Sequence, residues 1–106
     1  MDKLVDLVWQ NSSKIEIRNP EVWRQDFAGA WIRKDQYGLK SNFGWVIDHI
    51  KPKSMGGDDS IDNLQALHWK NNIAKGDNYL VVETCITSNG LDNIYEEKRW
   101  QLNIQK

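Results

Sequence analysis

Residues 44–77 read GWVIDHIKPKSMGGDDSIDNLQALHWKNNIAKGD, and the fold turns on how this stretch is parsed. Gly44 to Ile50 is rich in β-branched and aromatic residues, which predicts a strand, and Pro52 closes it because proline cannot donate to a sheet ladder. Residues 51–60 form a loop around the Gly56-Gly57 pair. Ile61 to Leu67 is a second short strand candidate. Residues 69–75 follow as a short helix, with Trp69 and Ile73 on one face and Gly76 as its stop. The polar residues fall at particular places in this strand, loop, strand, helix order. Asp48 and His49 stand at the end of the first strand, Asn63 on or beside the second, and Asn72 and Lys75 on the helix. About 100° per helical residue sets Asn72 about 60° from Trp69, bordering the core, and Lys75 a further 60° round.

Outward from this stretch the signals are plainer. Asp2 precedes Leu4, Leu7 and Val8 at helical spacing, which predicts a short amphipathic helix over 3–9. Asn19-Pro20 reads as a cap before proline at the first helical position, and Trp23, Phe27 and Ala30 then form one helix stripe. Ala30-Trp31-Ile32 already has extended character. Residues 35–44 are a turn-rich connection, Tyr79 to Thr84 a further strand, and Asn89-Gly90 a turn. Residues 92–106 are charged and are left as either a helix or a loosely held tail.

Length and composition bound the answer. A chain of 106 residues with 40% hydrophobic and 27% charged residues is an ordinary globular domain, expected to be single over 1–106. Folding buries about two-thirds of the surface of a chain this size. No apolar run approaches the ~18 residues of a membrane span, and Met1-Asp2-Lys3 does not open a secretory leader. The single cysteine, Cys85, excludes an internal disulfide and any multi-cysteine zinc knuckle; it reads as a small, partly buried apolar side chain. The expectation is a reduced, cytoplasmic protein. The net charge of −1 argues against strong unaided nucleic-acid affinity. It is unevenly spread: residues 31–53 carry Arg33, Lys34, Lys40, Lys51 and Lys53 against Asp35 and Asp48, leaving the rest of the chain acidic. Six tryptophans are expected to form much of the core.

The residue types around the strand end suit phosphodiester hydrolysis. A carboxylate and an amide oxygen are hard ligands for Mg²⁺, which keeps several waters. A neutral histidine takes a proton from water. Neighbouring strand residues point to opposite faces, so Asp48 and His49 should diverge, with the phosphate between base and metal. Asn63 could orient the imidazole or simply cap a turn, and Lys75 could balance phosphate charge.

The same residues resemble the HNH endonuclease motif, the ββα-metal finger. Its blocks appear as Asp48-His49-Ile50-Lys51-Pro52, Gly56-Gly57, Asn63-Leu64-Gln65-Ala66-Leu67 and Asn72-Ile73-Ala74-Lys75, fourteen residues separating His49 from Asn63 and nine more reaching Asn72. Four blocks in register are far more specific than one short motif. The resemblance covers residues 44–77. It implies an α+β fold built on a ββα-metal (HNH) finger, with short flanking helices and an additional strand. It implies a metal-dependent endonuclease acting on DNA, with His49 as general base, Asp48 and Asn72 as metal ligands, and Asn63 holding His49 in place. Mg²⁺ or Mn²⁺ is the implied cofactor, and Lys51, Lys53 and Lys75 are the expected phosphate contacts. RNA as substrate, a homodimer, and a larger phage- or restriction-type partner remain open. Many relatives bind structural zinc through cysteine pairs. His68 and Asn71 stand in the slots near the third block here, so no structural zinc is expected and the tryptophans are expected to stiffen the fold. The alternative is a nucleic-acid-binding or partner-recruiting module of the same fold with little cleavage of its own.

Overall fold

The fold was analysed in a computed structural model, which describes residues 2–102. Its centre is an antiparallel pair: β3 (Trp45–His49) aligns with β4 (Leu64–His68) in the register Trp45↔His68, Val46↔Leu67, Ile47↔Ala66, Asp48↔Gln65 and His49↔Leu64. The loop between them can turn back because of its two glycines. Gly56 has φ 91°, a left-handed conformation that side chains resist, and a Cβ on Gly57 would collide with the Lys51 carbonyl. Helix α2 (Trp69–Lys75) follows β4 directly, capped by His68, whose Nδ1 accepts from Lys70 N at 3.1 Å, and ends at Gly76.

Around this unit stand α1 (Lys3–Gln10), a short pair β1 (Trp23–Gln25) and β2 (Trp31–Arg33), and a longer hairpin of β5 (Val81–Asn89) and β6 (Asp92–Gln101). All three sheets are two-stranded and antiparallel. The fold is thus mixed α+β. Val5, Val8 and Trp9 of α1 pack on Ile32, Trp45, Leu64 and Ala66, with the Trp9 and Trp45 rings 5.4 Å apart.

The tryptophans join distant segments as well as filling space. Indole N–H groups of Trp9, Trp31, Trp45 and Trp69 donate to the carbonyls of Pro20, Gly90, Arg33 and Ser41, and that of Trp100 to Thr84 Oγ1. A second tie runs through buried polar groups. Asp26 accepts from Ala28 N, Ala30 N, His68 N and Asn71 Nδ2, at 2.9–3.0 Å. Asn71 in turn accepts from Cys85 N and Ile86 N and donates to Ile86 O. The β5–β6 register shifts between Thr84 and Ile86, and the Asn71 side chain supplies the partner that this bulge takes from the Cys85 amide. His68 and Asn71 are thus gathered by a carboxylate, so the stiffening rests on this knot as well as on tryptophan packing.

Several expectations are corrected. Residues 20–30 form no helix: they make β1 and the turn into β2. Asn19 caps a single turn, accepting from Glu21 N, but Asp26 then captures the Ala28 and Ala30 amides that a helix would need. The described part of 92–106 is strand β6, since the Asn89-Gly90 turn folds it back onto β5, and residues 103–106 lie outside the described residues. Among the described residues the flanks therefore carry one α-helix, one 3-10 turn (Lys34–Gln36) and four strands, where short helices and one additional strand were expected. The second strand of the centre begins at Leu64, after a 3-10 turn over Ile61–Asn63. The helix faces also differ. Leu4 and Leu7 are exposed while Val5, Val8 and Trp9 point inward, and Ile73 of α2 is 66% exposed while Asn71 and Lys75 are buried. Hydrophobic periodicity misreads α2 because hydrogen bonds and an ion pair hold its inner face.

Candidate active site

At the end of β3, Asp48 and His49 line one cleft of about 350 Å³ together with Ile47, Pro52, Lys53, Asn72 and the start of the segment after α2. Asp48 is 5% exposed. Three donors hold its carboxylate: Gln65 Nε2 reaches Oδ2 at 2.9 Å, Asn72 Nδ2 reaches Oδ1 at 3.1 Å, and Lys75 Nζ lies 3.3 and 3.2 Å from Oδ1 and Oδ2. The Gln65 contact follows from the register, which sets Gln65 directly opposite Asp48. Asn72 thus spends an Nδ2 hydrogen on the carboxylate, and no described donor reaches its Oδ1.

His49 is half-buried. Its Nε2 lies 2.7 Å from Asp59 Oδ1, and Asp59 Oδ2 also takes Lys53 Nζ at 2.9 Å. The hydrogen bond to His49, then that to Lys53, holds the exposed Asp59 carboxyl below its ordinary range. With Nε2–H donating to a carboxylate, the ring presents its Nδ1 lone pair to the other side.

The remaining predicted residues fall in different places. The Asn63 side chain touches the loop rather than the imidazole: it accepts from Lys51 N at 2.8 Å and donates to Lys51 O and Asp58 O, while its carbonyl takes Ile50 N. It pins both ends of the Gly-Gly loop, and acts on His49 only by fixing the backbone beside it. Lys53 is exposed and paired with Asp59, and Lys51 has its Nζ 6.0 Å from the Tyr79 ring. Lys75 does not belong to a phosphate-facing surface. It is 1% exposed, turned inward to Asp48 and to the His49 carbonyl, 2.9 Å away, because its place one turn after Asn71 puts it on the buried face of α2.

Reading residue types missed Asp59 and Gln65. Gln65 lay in the third block, and the strand register would have found it. Asp59 sits in a run of polar loop residues with no periodicity, and no sequence signal singles it out. His68, which stands in a slot that many relatives fill with a zinc-binding cysteine, is spent otherwise: Nε2 donates to Asn42 O at 2.9 Å while Nδ1 caps α2. Burial lowers its pKa, against a smaller upward pull from the Asn42 bond. Cys85 is half-buried, and burial raises its thiol pKa. Among the described residues no three or more His, Cys, Asp or Glu side chains converge to hold a metal, and no helix is long and apolar enough to cross a membrane.

Comparison with known proteins returns one finding. The family model described as HNH endonuclease matches residues 38–78, from the connection before β3 to the end of α2. No curated protein and no solved structure matches the chain. The matched span contains the whole cleft-lining set, and a match to an HNH domain suggests, in general, nuclease-type activity on nucleic acid with a divalent metal ion. Residues 38–78 of this chain thus carry a segment similar to the HNH endonuclease family.

Proposed function

We propose that this protein is a metal-dependent endonuclease that hydrolyses phosphodiester bonds of DNA. The observation that carries the reading is the cleft itself, where a half-exposed histidine backed by a carboxylate stands beside the hydrogen-bonded side chains of Asp48 and Asn72. Asp48 and Asn72 fit a hard divalent cation, Mg²⁺ or Mn²⁺, because both line the cleft, one with a carboxylate and the other with an amide whose carbonyl oxygen takes no described donor. Such an ion, when bound, supplies positive charge at the phosphate and the leaving oxygen.

The chain's own residues do the rest. Asp59 holds His49 through Nε2, so Nδ1 is the nitrogen that takes the proton from the attacking water. The water oxygen forms the new bond to phosphorus, the bond to the leaving oxygen breaks, and that oxygen is protonated from solvent. Asn63 keeps the loop closed so that Asp59 stays opposite His49. Lys53 and Lys51, on the loop beside the cleft, attract the flanking phosphates.

One observation favours the runner-up, a binding or recruiting module that cuts little by itself. With Lys75 turned inward, the loop offers two lysines in a chain of net charge −1. A plasmid assay decides between them. Supercoiled DNA should be nicked or linearised in Mg²⁺ or Mn²⁺, left intact with chelator, and left intact by His49→Ala. Cleavage by His49→Ala at the wild-type rate would overturn the mechanism, and tight DNA binding without turnover in either metal would favour the recruiting module.

A further inference from the structure

Lys75 is a buried cation placed on the very carboxylate that the reading above gives to a metal ion. Its ammonium lies 3.3 and 3.2 Å from the two Asp48 oxygens and 2.9 Å from the His49 carbonyl. It has little room to leave. An apolar cavity of about 240 Å³, walled by Phe27, Ile50, Val82 and Leu102, adjoins the lysine, and moving the charge there would strip it of its partners. The ammonium therefore stays on Asp48, and a divalent cation arriving at Asp48 and Asn72 meets a like charge at contact range.

Resting on the reading that Asp48 and Asn72 take the ion, we propose that Lys75 is a positioning residue and resident counter-cation. It keeps the Asp48 carboxylate oriented whether or not an ion is bound, and it holds the affinity of the site for divalent cations low. Two consequences separate this from a merely structural ion pair. Removing the charge while keeping the stem should tighten cation binding, because repulsion between like charges a few ångströms apart is substantial even in water. It should also make the fold respond to the cation, since Asp48 would then be a buried charge without its counter-charge.

The test is titration of Mn²⁺ into the full chain by calorimetry, with thermal unfolding read in parallel. Lys75→Met should bind Mn²⁺ about tenfold more tightly than wild type, and its unfolding midpoint should rise more on adding Mn²⁺. Lys75→Arg, which keeps the charge, should bind as wild type does, and Asp48→Asn with Lys75→Met should lose the gained affinity. Equal or weaker binding by Lys75→Met overturns the proposal. Should that variant unfold, refolding driven by millimolar Mn²⁺ supports the proposal and no response overturns it. Failure of the underlying reading looks different: wild-type binding that survives Asp48→Asn removes Asp48 as a ligand, whatever Lys75 does. Binding by neither wild type nor Lys75→Met overturns both.

Discussion

Asp26 and Asp48 are both buried carboxylates, at 4% and 5% exposure, and they are satisfied in opposite ways. Asp26 accepts four N–H groups, three from the backbone, and no described cation touches it. Burial raises its carboxyl pKa against the downward pull of those donors. Asp48 accepts from two side-chain amides and an ammonium, and it lines a cleft. One carboxylate is a closed knot that joins the β1–β2 turn, the start of α2 and the bulge of β5. The other is held by side chains, and while Lys75 stays in place, the amides of Gln65 and Asn72 can turn around an arriving ligand as backbone groups cannot. Similar burial of one residue type therefore supports two roles, and the partners decide which.

The sharpest way to break this contrast is Asp26→Ala. Four buried donors would lose their acceptor, and an unfolding free energy lower by about 3–5 kcal/mol is expected in urea denaturation. His49→Ala should do the reverse, cutting cleavage by at least about 100-fold while moving stability by less than about 0.5 kcal/mol. If His49→Ala proves as destabilising as Asp26→Ala, the cleft is part of the scaffold and the contrast fails.

His68, next to the Asp26 knot, sharpens the picture through pH. Its folded pKa is lowered, so the unfolded chain binds the extra proton first. The stability it contributes is full above the unfolded value of about 6.5 and is lost as pH falls through the folded one. Urea midpoints measured from pH 8 to pH 5 should therefore fall more in wild type than in His68→Asn, which can still cap α2. The smallest effect expected is at Asp59. Asp59→Asn should slow cleavage several-fold, lower the neutral-pH melting temperature only slightly, and remove the small part of acid sensitivity that appears below pH ~4. The sign follows from its lowered carboxyl pKa, whose benefit is present above the unfolded value and lost as pH falls through the folded one.

How much was legible in the chain depends on the range of the interaction. The β3 run, the Gly56-Gly57 turn, the short helix stopped at Gly76 and the Asn89-Gly90 turn all express preferences of residues close in sequence, and the structure has each of them. Residues 20–30 have equally clear local signals for a helix, yet β1 and the turn into β2 form there because Asp26 and the neighbours His68 and Asn71, more than 40 residues further along, need one another. Ile73 and Lys75 exchange their expected places on α2 for a related reason: Asp48 across the interface outweighs the preference of an isoleucine for burial. Asn63 was legible as a residue that matters and not as what it touches.

By itself, then, the sequence determined the order of the central elements, the pairing of a strand-end acid with a histidine, and the similarity of residues 38–78 to the HNH endonuclease family. Those depend on local backbone preference and on residue identity at short intervals. The tertiary structure alone decided that Asp59 stands behind His49, that Gln65 and Lys75 hold Asp48, and that an aspartate gathers His68 and Asn71. Each is a contact between side chains brought together by chain reversal. Their energies depend on burial and on the last ångström of approach, which spacing along a chain does not encode.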